Sequence, residues 1–157
     1  MIDANYIVGL TDGEGCFYVN VRPPGVKKFN YRVETHFYIK LRRDEYPLLK
    51  KIQEFFGYGA IYFQKEKRKN HSACYRYEVN NRNDIINKLV PFFKKYPLQG
   101  KKQKDFQIFS KIVEIINRNE HLNEKGLEKV RQLKSIMNQR ARPVREIRSP
   151  GGNATKP

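Results

Sequence analysis

The sequence predicts an α+β fold, a four-stranded sheet with helices on one face and a polar, aromatic and basic surface on the other. Three observations predict it. Two pairs of strand-length segments, within residues 16–41 and 59–79, alternate apolar and polar side chains. Segments with apolar residues at helical spacing lie before, between and after those pairs. The polar side of the alternation is rich in Arg, Tyr, Asn and Gln, in a chain of 157 residues with 32 Lys plus Arg against 16 Asp plus Glu.

From Asp3 to Asp12 the residues read as a short helix, with Asp3 as its N-cap and Tyr6, Ile7, Val8 and Leu10 as apolar members. It ends in Gly13-Glu14-Gly15. Strand one, Cys16 to Arg22, turns Phe17, Val19 and Val21 to one face and Cys16, Tyr18, Asn20 and Arg22 to the other. Pro23-Pro24-Gly25 reverses the chain. Strand two, from about Asn30 to Leu41, sends Val33, Thr35, Phe37 and Ile39 inward and Arg32, Glu34, His36, Tyr38 and Lys40 outward. Asp44 opens a helix to about Phe56 that Gly57 stops. Gly59 to Lys65 and Ser72 to Val79 are strands three and four, joined by the charged turn Glu66 to His71. On these, Tyr62, Gln64, Arg76 and Glu78 lie opposite Ile61, Phe63, Tyr75, Tyr77 and Val79. A short helix, Arg82 to Phe93, precedes the loop Tyr96-Pro97-Leu98-Gln99-Gly100. Two amphipathic helices follow, near Lys102–Arg118 and Leu122–Asn138. This makes residues 1–138 one domain and 139–157 a basic tail with no apolar stripe, which touches phosphates or is disordered.

The formal net charge is +16, and its layout is uneven. Residues 1–19 hold no Lys or Arg and three acids, Asp3, Asp12 and Glu14; residues 20–80 hold 14 basic against 6 acidic side chains. Such an excess over a foldable domain favours a polyanion, because neutralising phosphates releases counterions. A membrane partner fits poorly, since the basic residues interleave with Tyr along strand-like runs and no apolar run of spanning length exists. No targeting signal is legible in the first residues. Two cysteines, Cys16 and Cys74, are too few for a disulfide scaffold or a zinc site.

The informative segment is Ile7-Val8-Gly9-Leu10-Thr11-Asp12-Gly13-Glu14-Gly15. Glycine inside a helix costs about 1 kcal/mol relative to Ala, so Gly9 and Gly13, four apart on one face, call for a reason such as close approach of another backbone. The plainer alternative is a loop glycine at Gly13 and coincidence at Gly9. Glu14 beside a phosphate-binding surface repels the ligand unless a cation bridges them, which Mg²⁺ does with carboxylate, carbonyl and water oxygens. A solvated turn acid is the alternative.

These nine residues resemble the motif of the LAGLIDADG homing endonucleases, with Ile7, Gly9, Leu10, Asp12, Gly13, Glu14 and Gly15 matching or conservatively replacing motif positions. The element order over residues 1–138 is similar to that family's α-β-β-α-β-β-α repeat, with an antiparallel DNA-binding sheet. The resemblance implies a site-specific endonuclease that hydrolyses both strands of a long, palindromic or nearly palindromic DNA target, as in intron or intein homing. It implies that Glu14 and the Gly13 carbonyl hold metal: Mg²⁺, with Mn²⁺ as a substitute and Ca²⁺ binding without supporting cleavage. A catalytic lysine is implied near the start of the helix after the second strand pair, where Lys101 is preferred over Lys102. Several relatives carry a Gln near the end of strand two, where this chain has Leu41. One motif supplies one acid, so the resemblance implies a homodimer meeting at Ile7, Val8, Gly9 and Gly13. In the major groove Arg22, Arg32 and Arg76 suit guanine, Asn20 and Gln64 adenine, Glu34 or Glu78 cytosine, and Tyr18, Tyr38 and Tyr62 thymine methyls. His36 and Lys40 complete that face. An organelle-encoded protein, mitochondrial or chloroplast, or one of the prokaryotic cytoplasm is implied. The alternatives are a non-catalytic DNA-binding regulator and a maturase whose partner is its own intron RNA.

Overall fold

Asp3 caps α1 (Ala4–Glu14): its carboxylate accepts the Tyr6 amide at 2.8 Å, satisfying a donor that a helix start leaves unpaired. The computed structural model describes residues 1–26, 30–65 and 72–139. In it α1 runs two residues past the expected end, so Gly13 and Glu14 are helical, and leads directly into β1 (Gly15–Arg22). Gly15 makes the junction possible. A Cβ there would lie 2.6 Å from Thr11 Cγ2 and 2.8 Å from the Thr11 carbonyl oxygen.

The sheet continues with β2 (Arg32–Arg42), β3 (Ala60–Gln64) and β4 (Cys74–Val79), all antiparallel, in the spatial order β1-β2-β4-β3. This is the four-stranded α+β architecture that the alternation predicts. Between the pairs lies α2 (Tyr46–Phe56), which starts two residues later than expected at Asp44. Pro47, lacking an N–H, confines the helix start to its own turn, and Asp44 sits in a 3₁₀ turn with its carboxylate 3.4 Å from Arg42 Nε. Gly57 ends α2 in the left-handed conformation, φ +72°.

Helix α3 is longer than expected and not uniform: α-helical at Arg82–Asp84, π-helical at Ile85–Leu89 and α-helical again at Val90–Lys95. Asn81 caps it through the Asn83 and Asp84 amides. Pro91 explains the wide turn, because its ring cannot donate and would crowd the carbonyl four residues back. The chain closes with α4 (Lys102–Asn117) and α5 (Glu124–Ile136), the latter capped by Asn123. The turn expected at Glu66–His71 and the tail from Arg140 lie outside the described residues.

Helices α1, α2 and α4 pack on one face of the sheet, α1 against β1 and β2, α4 against β1 and α2 against β2, β3 and β4, while α5 packs on α4. Phe17 of β1 is the hub of the core, with ring centroids 5.2 to 5.4 Å from Phe37, Phe93, Phe106 and Phe109. Ile7 and Val8, expected where subunits meet, belong to this core instead, at 0% and 8% exposure. They share the helix face of Thr11, which turns inward, while Gly9 and Gly13 turn outward.

Candidate active site and nucleic-acid interface

The end of α1 is fastened to a loop nearly ninety residues later. The Asp12 carboxylate accepts the Gln99 amide at 2.8 Å on Oδ2 and the Gly100 amide at 3.0 Å on Oδ1. Charge-assisted bonds of this kind are the stronger ones, so the loop entering α4 is held in one place. A Cβ on Gly100 would lie 3.0 Å from Asp12 Oδ1, a close contact that the carboxylate would relieve by shifting a few tenths of an ångström.

That latch delivers a lysine. Lys102 Nζ donates to the carbonyl oxygens of Asp12 and Gly13 at 2.9 and 3.1 Å. Lys101, favoured from sequence, points elsewhere, as successive helical residues are about 100° apart. It lines an open cleft of roughly 1250 Å³ together with Lys104, Gln107 and Gln139. The contact with the motif helix therefore belongs to Lys102 and not to Lys101. Two adjacent lysines carry no local signal that separates them; only the latch does.

Glu14 is exposed at the last position of α1, where the sheet face begins. Among the described residues no group of three His, Cys, Asp or Glu side chains forms a metal cluster. One chain thus offers one carboxylate and the Gly13 carbonyl. The Lys102 ammonium on that carbonyl marks its oxygen as a seat for positive charge, and a carboxylate beside a carbonyl is the oxygen donor type that a divalent cation takes. The outer face of α1 is open. A Cβ at Gly9 or Gly13 would meet nothing within 4 Å.

The sheet face opposite the helices carries the residues expected there. Register places Tyr18 beside His36, Asn20 beside Glu34, Arg22 beside Arg32, Tyr38 beside Glu78, Lys40 beside Arg76, and Arg76 beside Tyr62. Tyr18 and Tyr62 are exposed at 41% and 45%, and Gln64 ends β3 half-buried. Leu41 packs half-buried against the core side. The acids of the face are engaged rather than free. Glu34 Oε2 lies 2.9 Å from Arg22 Nε and its Oε1 4.0 Å from Arg32 Nη2. Glu78 holds His36 and Arg76, so neither acid is an idle acceptor for cytosine. Burial first, then a hydrogen bond with Cys16, pushes the Tyr38 phenol up to about 12, so it remains a neutral donor.

A residue outside every expected site completes the frame. Asn138, at φ +53°, accepts nothing from its own helix; its amide donates to Asp105 Oδ1 and its side chain to the Phe17 carbonyl, both at 2.9 Å. It ties the end of α5 to α4 and to β1.

The geometry defines a class: a basic, aromatic sheet face next to an acidic helix end whose glycine face is open. A family model described as LAGLIDADG endonuclease matches residues 7–113, and the chain belongs to that family. Probable intron-encoded endonuclease 2 of Neurospora crassa is 34% identical over 133 residues, which is 85% of this chain and 27% of that protein. The chain therefore spans little more than a quarter of that curated relative's length. The crystal structure of the homing endonuclease I-TnaI is similar with a TM-score of 0.76 and 34% identity, covering 88% of this chain and 89% of that one. I-SmaMI bound to an uncleaved DNA target in the presence of calcium ions gives a TM-score of 0.78 at 28% identity, over 87% of this chain and 45% of that chain.

Proposed function

We propose that the protein is a site-specific, intron-associated homing endonuclease that cuts both strands of a duplex as a pair of motif helices, contributed by two copies of the chain. The single observation that supports this best is the end of α1, where exposed Glu14 follows the Gly13 carbonyl that accepts from the Lys102 ammonium, next to the basic sheet. An exposed acid beside a basic DNA surface suits phosphate chemistry, where a bridging cation offsets its repulsion.

Glu14 and the Gly13 carbonyl would hold Mg²⁺, with Mn²⁺ as a substitute, and its chemistry there is to activate water and offset phosphate charge. The rest belongs to the chain. The sheet lies along the major groove, with Arg22, Arg32, Lys40 and Arg76 supplying sequence-independent attraction and part of the base reading. Asp12 keeps the Gln99–Gly100 loop, and with it Lys102, at the helix end. Lys102 stabilises negative charge that builds on the phosphate oxygens as the bond to the leaving oxygen lengthens. The open Gly9 and Gly13 face lets a second α1 approach closely, which brings two Glu14 carboxylates to the centre of a palindromic or nearly palindromic site.

The chain is tested on a library of randomised duplexes with Mg²⁺, with EDTA and with Ca²⁺. Cleavage of a defined sequence subset in Mg²⁺ alone, with binding retained in Ca²⁺, is the expected result. Sequence-selective binding without cleavage in Mg²⁺ or Mn²⁺ would contradict the proposal and leave the binding-only alternative.

A further inference from the structure

Glu78 is an acid on the outward, basic face, and yet it is only 5% exposed. Register sets it between Tyr38 on β2 and the small Ala60 on β3. Its two oxygens serve different partners. Oε1 lies 2.6 Å from His36 Nδ1 and Oε2 2.7 Å from Arg76 Nη2. The Arg76 guanidinium also lies over the Tyr38 ring, 5.1 Å from its centroid. From His36 the chain of contacts continues to Glu34, whose Oε2 is 4.0 Å from His36 Nε2 and 2.9 Å from Arg22 Nε. One network thus crosses β4, β2 and β1, and Glu78 is its most buried charge.

A buried ion pair is weak evidence for stability, since removing two charges from water costs much of what their attraction returns. Its geometric effect is clearer. Arg76 remains 29% exposed while one terminal nitrogen is engaged by Glu78, and its Nε is buried without a partner. The donors left for a ligand are therefore on the two terminal nitrogens, the fork that matches O6 and N7 of guanine. A long side chain already held by a carboxylate and a ring loses less freedom on binding than a free one.

We propose that Glu78 is a positioning residue for sequence specificity: it holds Arg76 as a ready-made guanine reader and links it through His36 to Glu34 and Arg22. This rests on the reading of the sheet face as the DNA-binding surface. Removing the carboxylate then has two effects of opposite sign. The face becomes more positive and binds unrelated DNA as well as before or better, while its preference for guanine at one position falls.

The full chain and its variants are selected against the same randomised duplexes in Ca²⁺, and affinity for one unrelated duplex is measured alongside. The wild-type pool should contain a guanine position in each half-site that Arg76→Ala abolishes. Glu78→Gln should weaken that preference about tenfold and leave other positions within about twofold, the scale of one bidentate contact. In the Arg76→Ala background it should change nothing further there, as expected of a residue acting through another. Glu78→Asp, which keeps the charge but shortens the reach, is read the same way and covers failure of the glutamine variant to fold. An undiminished guanine preference in the Glu78 variants, or equal flattening at all positions, would overturn the inference alone. A wild-type pool with no base preference would overturn the reading of the face and the inference with it.

Discussion

Lys102 Nζ lies 3.1 Å from the carbonyl oxygen of Gly13, the residue that precedes the acid at the end of α1. A cation at a helix C-terminus is favourable by about 0.3–1 kcal/mol, so part of this contact is structural. Lys102→Met should therefore lower stability by no more than about 1 kcal/mol while slowing cleavage by roughly 10²–10³-fold, the scale of losing one positioned electrostatic partner of a transition state. Lys101→Met should slow cleavage by only about threefold, through weaker phosphate attraction. Single-turnover cleavage and thermal unfolding of both variants check this, and a larger loss at Lys101 would reverse the assignment.

Asp12 joins elements that nothing local in the sequence connects. Asp12→Asn keeps the size of the side chain but weakens two charge-assisted bonds, so a cost of about 1–3 kcal/mol is expected. Because the loop carries Lys102, cleavage should fall further than the stability loss explains, with duplex affinity little changed. Hydrogen exchange at the Gln99 and Gly100 amides reports the latch directly; unchanged protection in the variant would show that the carboxylate does not hold the loop.

Gly9 separates folding from association. Its Cβ position is open and the residue is helical, so Gly9→Ala should raise the stability of the single chain by roughly 0.5–1 kcal/mol. The same substitution should weaken pairing of two chains, because the added methyl stands on the face proposed to receive a second α1. Sedimentation equilibrium and thermal unfolding at low concentration measure the two effects, and tighter association of the variant would remove Gly9 from the interface.

His121 makes stability depend on pH. It is 8% exposed, and burial, followed by the positive charge of Arg82, holds its imidazole below the ordinary value of 6.5. The unfolded chain then binds a proton that the folded one refuses, so stability falls as pH drops below about 6.5 and until the folded value is passed. His121→Gln should flatten that part of the profile. Melting temperatures at about pH 5 and pH 8 decide it, and an unchanged pH difference in the variant would assign the effect to other groups.

Most of the fold is legible because its signals are local. Asp3 caps its own helix, Gly57 stops its own helix, and Phe17, Val19, Phe37 and Ile39 alternate with the residues of the opposite face as strand geometry requires. The missing parts arise from distant or competing contacts. Pro91 widens α3 into a π-turn only because the segment is packed as a helix on both sides of it. Ile7 and Val8 look available for a partner until the sheet they cover is in place. Lys102 cannot be separated from Lys101 without the bond between Asp12 and Gly100, and Glu78 reads as a surface acid until His36 is brought to it from β2.

On the proposed function, the carboxylate of Glu14 turns DNA binding into DNA cutting. The most direct measurement compares wild type and Glu14→Gln on the duplexes recovered by selection, recording affinity in Ca²⁺ and single-turnover cleavage in Mg²⁺. The variant should bind equally or more tightly, since one negative charge is gone, with cleavage reduced by about 10³-fold or more. Cleavage by Glu14→Gln at the wild-type rate would contradict it.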